Sequence, residues 1–77
     1  MTNYFKKGQW VKVSKENDNE GYDSFRNKKL KIIHVARNTK QHPGYDDSMK
    51  GMPLYDFIDE EGNEIGSSLY AYELEKA

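Results

Sequence analysis

The apolar residues of this chain come in strand-length blocks set between polar, glycine-bearing stretches, and no block is long enough for a helix of ordinary length. Residues 9–14 (QWVKVS) alternate, with Val11 and Val13 on one face and Trp10, Lys12 and Ser14 on the other, which predicts a first strand. Residues 15–22 (KENDNEGY) keep neither the helical nor the strand period and read as loop. In the turn that follows, Phe25 is placed to plug the core and Asn27 to tolerate a left-handed backbone. Residues 30–36 (LKIIHVA) are rich in β-branched side chains and apolar on both faces, as a central strand requires. Residues 54–58 (LYDFI) form the third strand, and the loop at 59–63 needs the positive φ that Gly62 supplies. Residues 64–67 then return as a short fourth strand. After two serines suited to an N-cap there is room for one 3₁₀ turn and a short last strand.

Four or five short antiparallel strands with long loops, one tight hairpin and one 3₁₀ turn near the C-terminus predict an all-β fold, a small SH3-like barrel, over residues 1–77 as a single domain. An OB-like barrel is the runner-up, for which 77 residues is short. A chain of this length buries a modest fraction of its unfolded surface, and with no cysteine it has neither disulfides nor thiolate zinc sites to compensate. Burial therefore falls to Trp10, three phenylalanines and six tyrosines.

Charge is divided along the chain. Residues 1–42 hold ten Lys/Arg against four Asp/Glu and residues 43–77 hold two against nine, so the halves carry +6 and −7 and sum to the net −1. Interleaved in a closed barrel the two halves neutralise each other; segregated, they give one basic and one acidic face. The opening residues lack an apolar signal-type run and nothing is long enough to span a bilayer, so the expectation is a cytoplasmic protein with no membrane partner.

Residues 38–53 carry no secondary-structure signal over sixteen positions, a length uncommon in compact domains unless the segment is functional or disordered. Tyr45, Met49, Met52 and two prolines are anchors that a solvated linker lacks, so the connection is ordered, either as a lid in which Tyr45 and Met52 fold down on the barrel or as a binding loop. Pro43-Gly44 suits the centre of a type II turn with Gly44 at positive φ, and His42 before the proline is held extended and points outward. In a barrel of this kind the two long loops and the turn before the last strand lie near one another. A protein-partner surface is expected there, built from Tyr22, His42, Tyr45, Asp46 and Tyr70, with Trp10 beside it.

Other chemistries fit less well. His34, His42, Asp46 and Asp47 have no HxH, HExxH or EF-hand spacing, so no metal and no cofactor is expected. His42, Asp46 and Asp56 are the available acid/base groups and Ser24, Ser48 and Ser67 the available nucleophiles. None sits in a nucleophile elbow or a phosphate-cradling glycine loop, and the expectation is a protein that is not an enzyme. Nucleic-acid binding is the alternative function: Arg26, Lys28, Lys29 and Lys31 cluster near Phe25 and Tyr22, which can stack on bases, although the acidic half repels a phosphate backbone unless it faces away.

In order, FRNKKL, IIHVARN, HPGYD, LYDF and SLYAYEL resemble a recurring pattern in small uncharacterised bacterial and phage proteins, covering roughly residues 22–75. The resemblance implies common ancestry and one domain, and brings no catalytic residue with it. Leu54-Tyr55-Asp56-Phe57 also resembles the ALYDY signature of eukaryotic SH3 domains. In those domains the motif comes near the start, whereas here it follows both long loops, so peptide binding of that kind is not implied.

Overall fold

The computed structural model describes residues 4–17, 20–49 and 51–77; residues 18 and 19 of the first loop and the first three residues lie outside them. Five antiparallel strands form one sheet: β1 (Trp10–Val13), β2 (Leu30–Ala36), β3 (Leu54–Ile58), β4 (Leu69–Tyr70) and β5 (Leu74–Lys76). Their order is β4-β3-β2-β1-β5, so each strand pairs with its sequence neighbour until the last, which returns beside the first. A 3₁₀ turn at Ala71–Glu73 joins β4 to β5 and so links the two edges of the sheet. The result is a small all-β fold of the SH3-like barrel type. Among the described residues no helix is long and apolar enough to cross a membrane.

The alternation of residues 9–14 predicts the inside of β1 correctly, since Val11 and Val13 are buried. They join Phe25, Leu30, Ile32, Tyr55, Phe57, Leu69, Ala71 and Leu74 in the main core. Phe25 plugs it as expected. Asn27 does not take a left-handed backbone, because among the described residues positive φ is confined to glycines, Gly62 in the β3 hairpin included.

Register explains why β2 is apolar on both faces. Ile32 pairs with Phe57 and His34 with Asp56, so Ile33 is an extra residue, a β-bulge, opposite a single step of β3. Before the bulge the even-numbered Leu30 and Ile32 face the core; after it Val35 packs against the core while Ala36 belongs to a second cluster with Tyr45 and Leu54. The bulge therefore turns His34 and Ala36 to the outer face, where unbroken alternation puts them inside.

The second cluster lies under the 38–53 connection. Tyr45 is 5% exposed against Ala36 and Leu54, with Met49 and Tyr70 packed on its flanks. Its hydroxyl points at two carbonyls of its own loop, Met49 O at 2.8 Å and Met52 O at 2.7 Å. The lid reading holds with one change of position: Tyr45 covers the outer face of β2 and β3, while Met52 packs against the main core.

The return strand expected at residues 64–67 is absent. Glu64 makes a single bridge to Ile58 and the Ile65 N–H reaches Phe57 O at 3.0 Å, after which the chain leaves the ladder and rejoins it at Leu69. One apolar residue in that stretch gives nothing to alternate, whereas Leu69 fills the core. The loop before it is closed by Asp59, whose carboxylate accepts the N–H groups of Asn63 (3.0 Å) and Glu61 (2.9 Å). These bonds, Asn63 first, hold the Asp59 carboxyl below the usual range, and the Lys28 charge adds to them.

Candidate functional site

A polar cluster is built at the bend of residues 42–45. The Tyr45 N–H donates to His42 O at 3.0 Å, which closes the expected turn. Gly44, however, is not at positive φ, so the turn is not type II. Glycine is required there for space: a Cβ at residue 44 would come within 3.1 Å of His42 Cε1 and 3.2 Å of Nδ1.

That close approach exists because the His42 ring folds back instead of pointing outward. The Gly44 N–H donates to Nδ1 at 2.9 Å, which leaves the hydrogen of the neutral ring on Nε2. Nε2 lies 3.2 Å from Asp56 Oδ1 and 3.1 Å from Ser68 Oγ, and the Ser68 hydroxyl donates to the same Asp56 oxygen. Serine, histidine and aspartate thus meet, but a nucleophile–base relay needs the carboxylate on one ring nitrogen and an unprotonated second nitrogen toward the serine. Here both partners share the protonated nitrogen, and the serine proton is directed to Asp56. The arrangement is a brace that ties the 38–53 connection to β3 and to the chain entering β4.

Ser68 is not among the candidate nucleophiles Ser24, Ser48 and Ser67, and although it is one of the two serines suited to an N-cap, the 3₁₀ turn is capped by Tyr70 instead. It lies 26 residues from His42 and 12 from Asp56, and the strand order alone brings them together. His34 and His42 are engaged separately, His34 Nε2 with Gln41 O at 3.1 Å. Among the described residues no three His, Cys, Asp or Glu side chains gather as metal ligands.

Tyr45, Tyr70 and Tyr72 form a row of ring contacts. Tyr45 meets Tyr70 edge to face at 5.6 Å between centroids, and Tyr70 lies nearly parallel to Tyr72 at 6.4 Å and 18°. The Asp46 N–H donates to the Tyr70 hydroxyl at 2.8 Å, which fixes the bend against β4. Glu73, the last residue of the 3₁₀ turn, extends the row: one of its oxygens accepts the Tyr70 N–H at 3.0 Å and the other the Tyr22 hydroxyl at 2.8 Å. Burial, then the hydrogen bond to Glu73, push the Tyr22 hydroxyl up to about 12. Tyr22 in turn lies on Phe25 at 5.6 Å, which carries the row to the core plug.

No protein-family model, no curated protein and no solved structure matches this chain. The reading of the surface rests on its own geometry.

All five residues expected at the partner surface, Tyr22, His42, Tyr45, Asp46 and Tyr70, lie along this row and its brace. Their roles differ: Tyr45 and His42 are tied into the fold, and Tyr72, unremarked in the sequence, is the exposed one at 64%. Trp10 is elsewhere. It is 39% exposed on the outer face of β1, paired in register with Lys31, and it borders a cleft of about 290 Å³ with Lys29, Glu60 and Ala77.

The basic residues do not form one groove. Arg26 pairs with Asp23 at 2.9 Å and, with Lys12 and Lys15, lines a cleft of about 300 Å³, whereas Lys29 lines the Trp10 cleft. Glu75 interrupts the first of these. Its carboxylate accepts the Lys15 N–H at 2.7 Å and lies 3.5 Å from Lys12 Nζ, and these contacts, the Lys15 bond foremost, hold it below the usual range.

Proposed function

We propose that this domain is a non-catalytic interaction module that binds a protein partner through its loop face, in the cytoplasm of a bacterium or a phage-infected cell. The observation that carries the reading is the tyrosine row. Tyr45, Tyr70 and Tyr72 are in ring contact, Tyr22 is joined to them through Glu73, and the hydroxyls of Tyr22, Tyr45 and Tyr70 are held by hydrogen bonds. Tyrosine gives large contact area at low entropic cost, and rings fixed before binding have less freedom to lose. The bacterial or phage origin rests on the resemblance of residues 22–75 to small proteins of such sources.

Nucleic-acid binding is the second reading, favoured by Lys12, Lys15 and Arg26 around one cleft. Its weakness is local: Asp23 and Glu75 already occupy two of those cations. A pull-down from native lysate with and without nuclease separates the readings. A partner that survives nuclease and is lost with Tyr72→Ala supports the protein module, and one that disappears with nuclease supports the alternative.

A further inference from the structure

We infer that the partner of the tyrosine row is an extended peptide segment bearing arginine or lysine, anchored on Tyr72. The inference deepens the proposed function and rests on it. Tyr72 lies against Tyr70 on one side, and at 64% exposure its remaining surface is open to a ligand. The negative face of an aromatic ring attracts a cation, and a planar guanidinium can also stack on it.

Charge around the row selects the same ligand. Asp46 is fixed beside Tyr70, Asp47 borders a cleft of about 390 Å³ with Tyr45, Asn38 and Arg37, and Glu73 sits between Tyr22 and Tyr70. Among the described residues no lysine or arginine forms an ion pair with any of the three. The Ser48 N–H at 2.9 Å holds the Asp46 carboxyl below its usual range, so it stays ionised through the neutral region. Arg37 is the one cation among the described residues that line that cleft, which directs an incoming cation toward the Tyr72 end. A polyanion is disfavoured here, because the carboxylates that attract a basic peptide repel phosphates.

The test is fluorescence anisotropy with a short labelled peptide of alternating arginine and alanine, beside the same peptide with neutral citrulline in place of arginine. The arginine peptide should bind at low salt and the citrulline one at least about tenfold more weakly, since the charge is lost while the shape is kept. Tyr72→Ala should weaken the arginine peptide about two- to fivefold, the range of an exposed cation–π contact. Asp46→Asn with Asp47→Asn should weaken it again, while Lys31→Gln, near the opposite end of β2 from Ala36, should change it by less than about twofold. Thermal melts confirm that each variant is folded. Equal affinity for the two peptides, or an arginine affinity indifferent to Tyr72→Ala, overturns the inference. If the nuclease-resistant partner needs Tyr72 but its bound segment carries no arginine or lysine, the inference falls and the protein-module reading stands. If no protein binds the loop face, both fall.

Discussion

Replacing Tyr45 tests whether the outer cluster is a structural lid. The ring is 5% exposed, and a buried tyrosine removes roughly 150–250 Å² from water, worth about 4–6 kcal/mol at about 25 cal/mol per Å². Truncations of buried aromatics cost roughly 3–5 kcal/mol, and this ring sits on the outside of the sheet, where the loop can settle into the gap. Tyr45→Ala should therefore cost about 3 kcal/mol, a large part of the roughly 4–12 kcal/mol typical of a 77-residue domain. Tyr45→Phe isolates the hydroxyl. Its one hydrogen serves Met49 O and Met52 O, and Met49 O keeps the Met52 N–H at 3.0 Å, so the net loss is about 1 kcal/mol. Urea unfolding gives both values. Hydrogen exchange adds location, because the Tyr45, Met49 and Met52 amides bond within the lid while Ile32 N–H bonds to Gln9 O beside the main core. In Tyr45→Phe the lid amides should speed up more than that of Ile32. A loss below about 1 kcal/mol for Tyr45→Ala would show that the ring does not hold the loop down.

Three further perturbations address the brace and the row. Gly44→Ala should destabilise by about 1 kcal/mol through contact with the His42 ring, not through backbone strain; a neutral or stabilising result in urea unfolding would contradict that cause. His42→Ala should cost about 1–2 kcal/mol by removing the donor to Asp56 and the acceptor for the Gly44 N–H, and a melt unchanged from the parent would show the brace to be idle. The Tyr22 hydroxyl is raised above the unfolded value near 10, so its contribution is complete below pH 10 and is lost as pH climbs through about 12. Tyr22→Phe should accordingly flatten the fall in stability between those values. Alkaline melts in which parent and variant decline in parallel would refute the assignment.

What was legible in the sequence is what alternation and turn chemistry encode. Strands β2 and β3 fall on the residues expected because LKIIHVA and LYDFI are bounded by polar stretches, and Gly62 takes the positive φ its hairpin needs. The Pro43-Gly44 bend was legible as a bend but not in type, because the demand for glycine comes from a side chain folding back on it. The bulge at Ile33 was hidden, since a strand apolar on both faces gives no parity to read. Tyr22 and Glu73 are 51 residues apart, and Tyr72 is the exposed member of the row because β4 leads into a 3₁₀ turn there. Such facts belong to the strand order, which local pattern does not contain.

The bulge also makes the chain's tolerance to length changes uneven. Removing Ile33 leaves Ile32 opposite Phe57 and His34 opposite Asp56 in a regular ladder, with every other side chain of β2 on its present face. Losing Val35 instead would shift its neighbours and carry core residues out to water. A one-residue deletion is thus absorbed at a single point of the strand, at the expense of coiling, because a bulge sharpens the local twist. A sheet without it would curve less, and the 3₁₀ turn from Ala71 to Glu73 would have a wider gap to cross between the two edges it links.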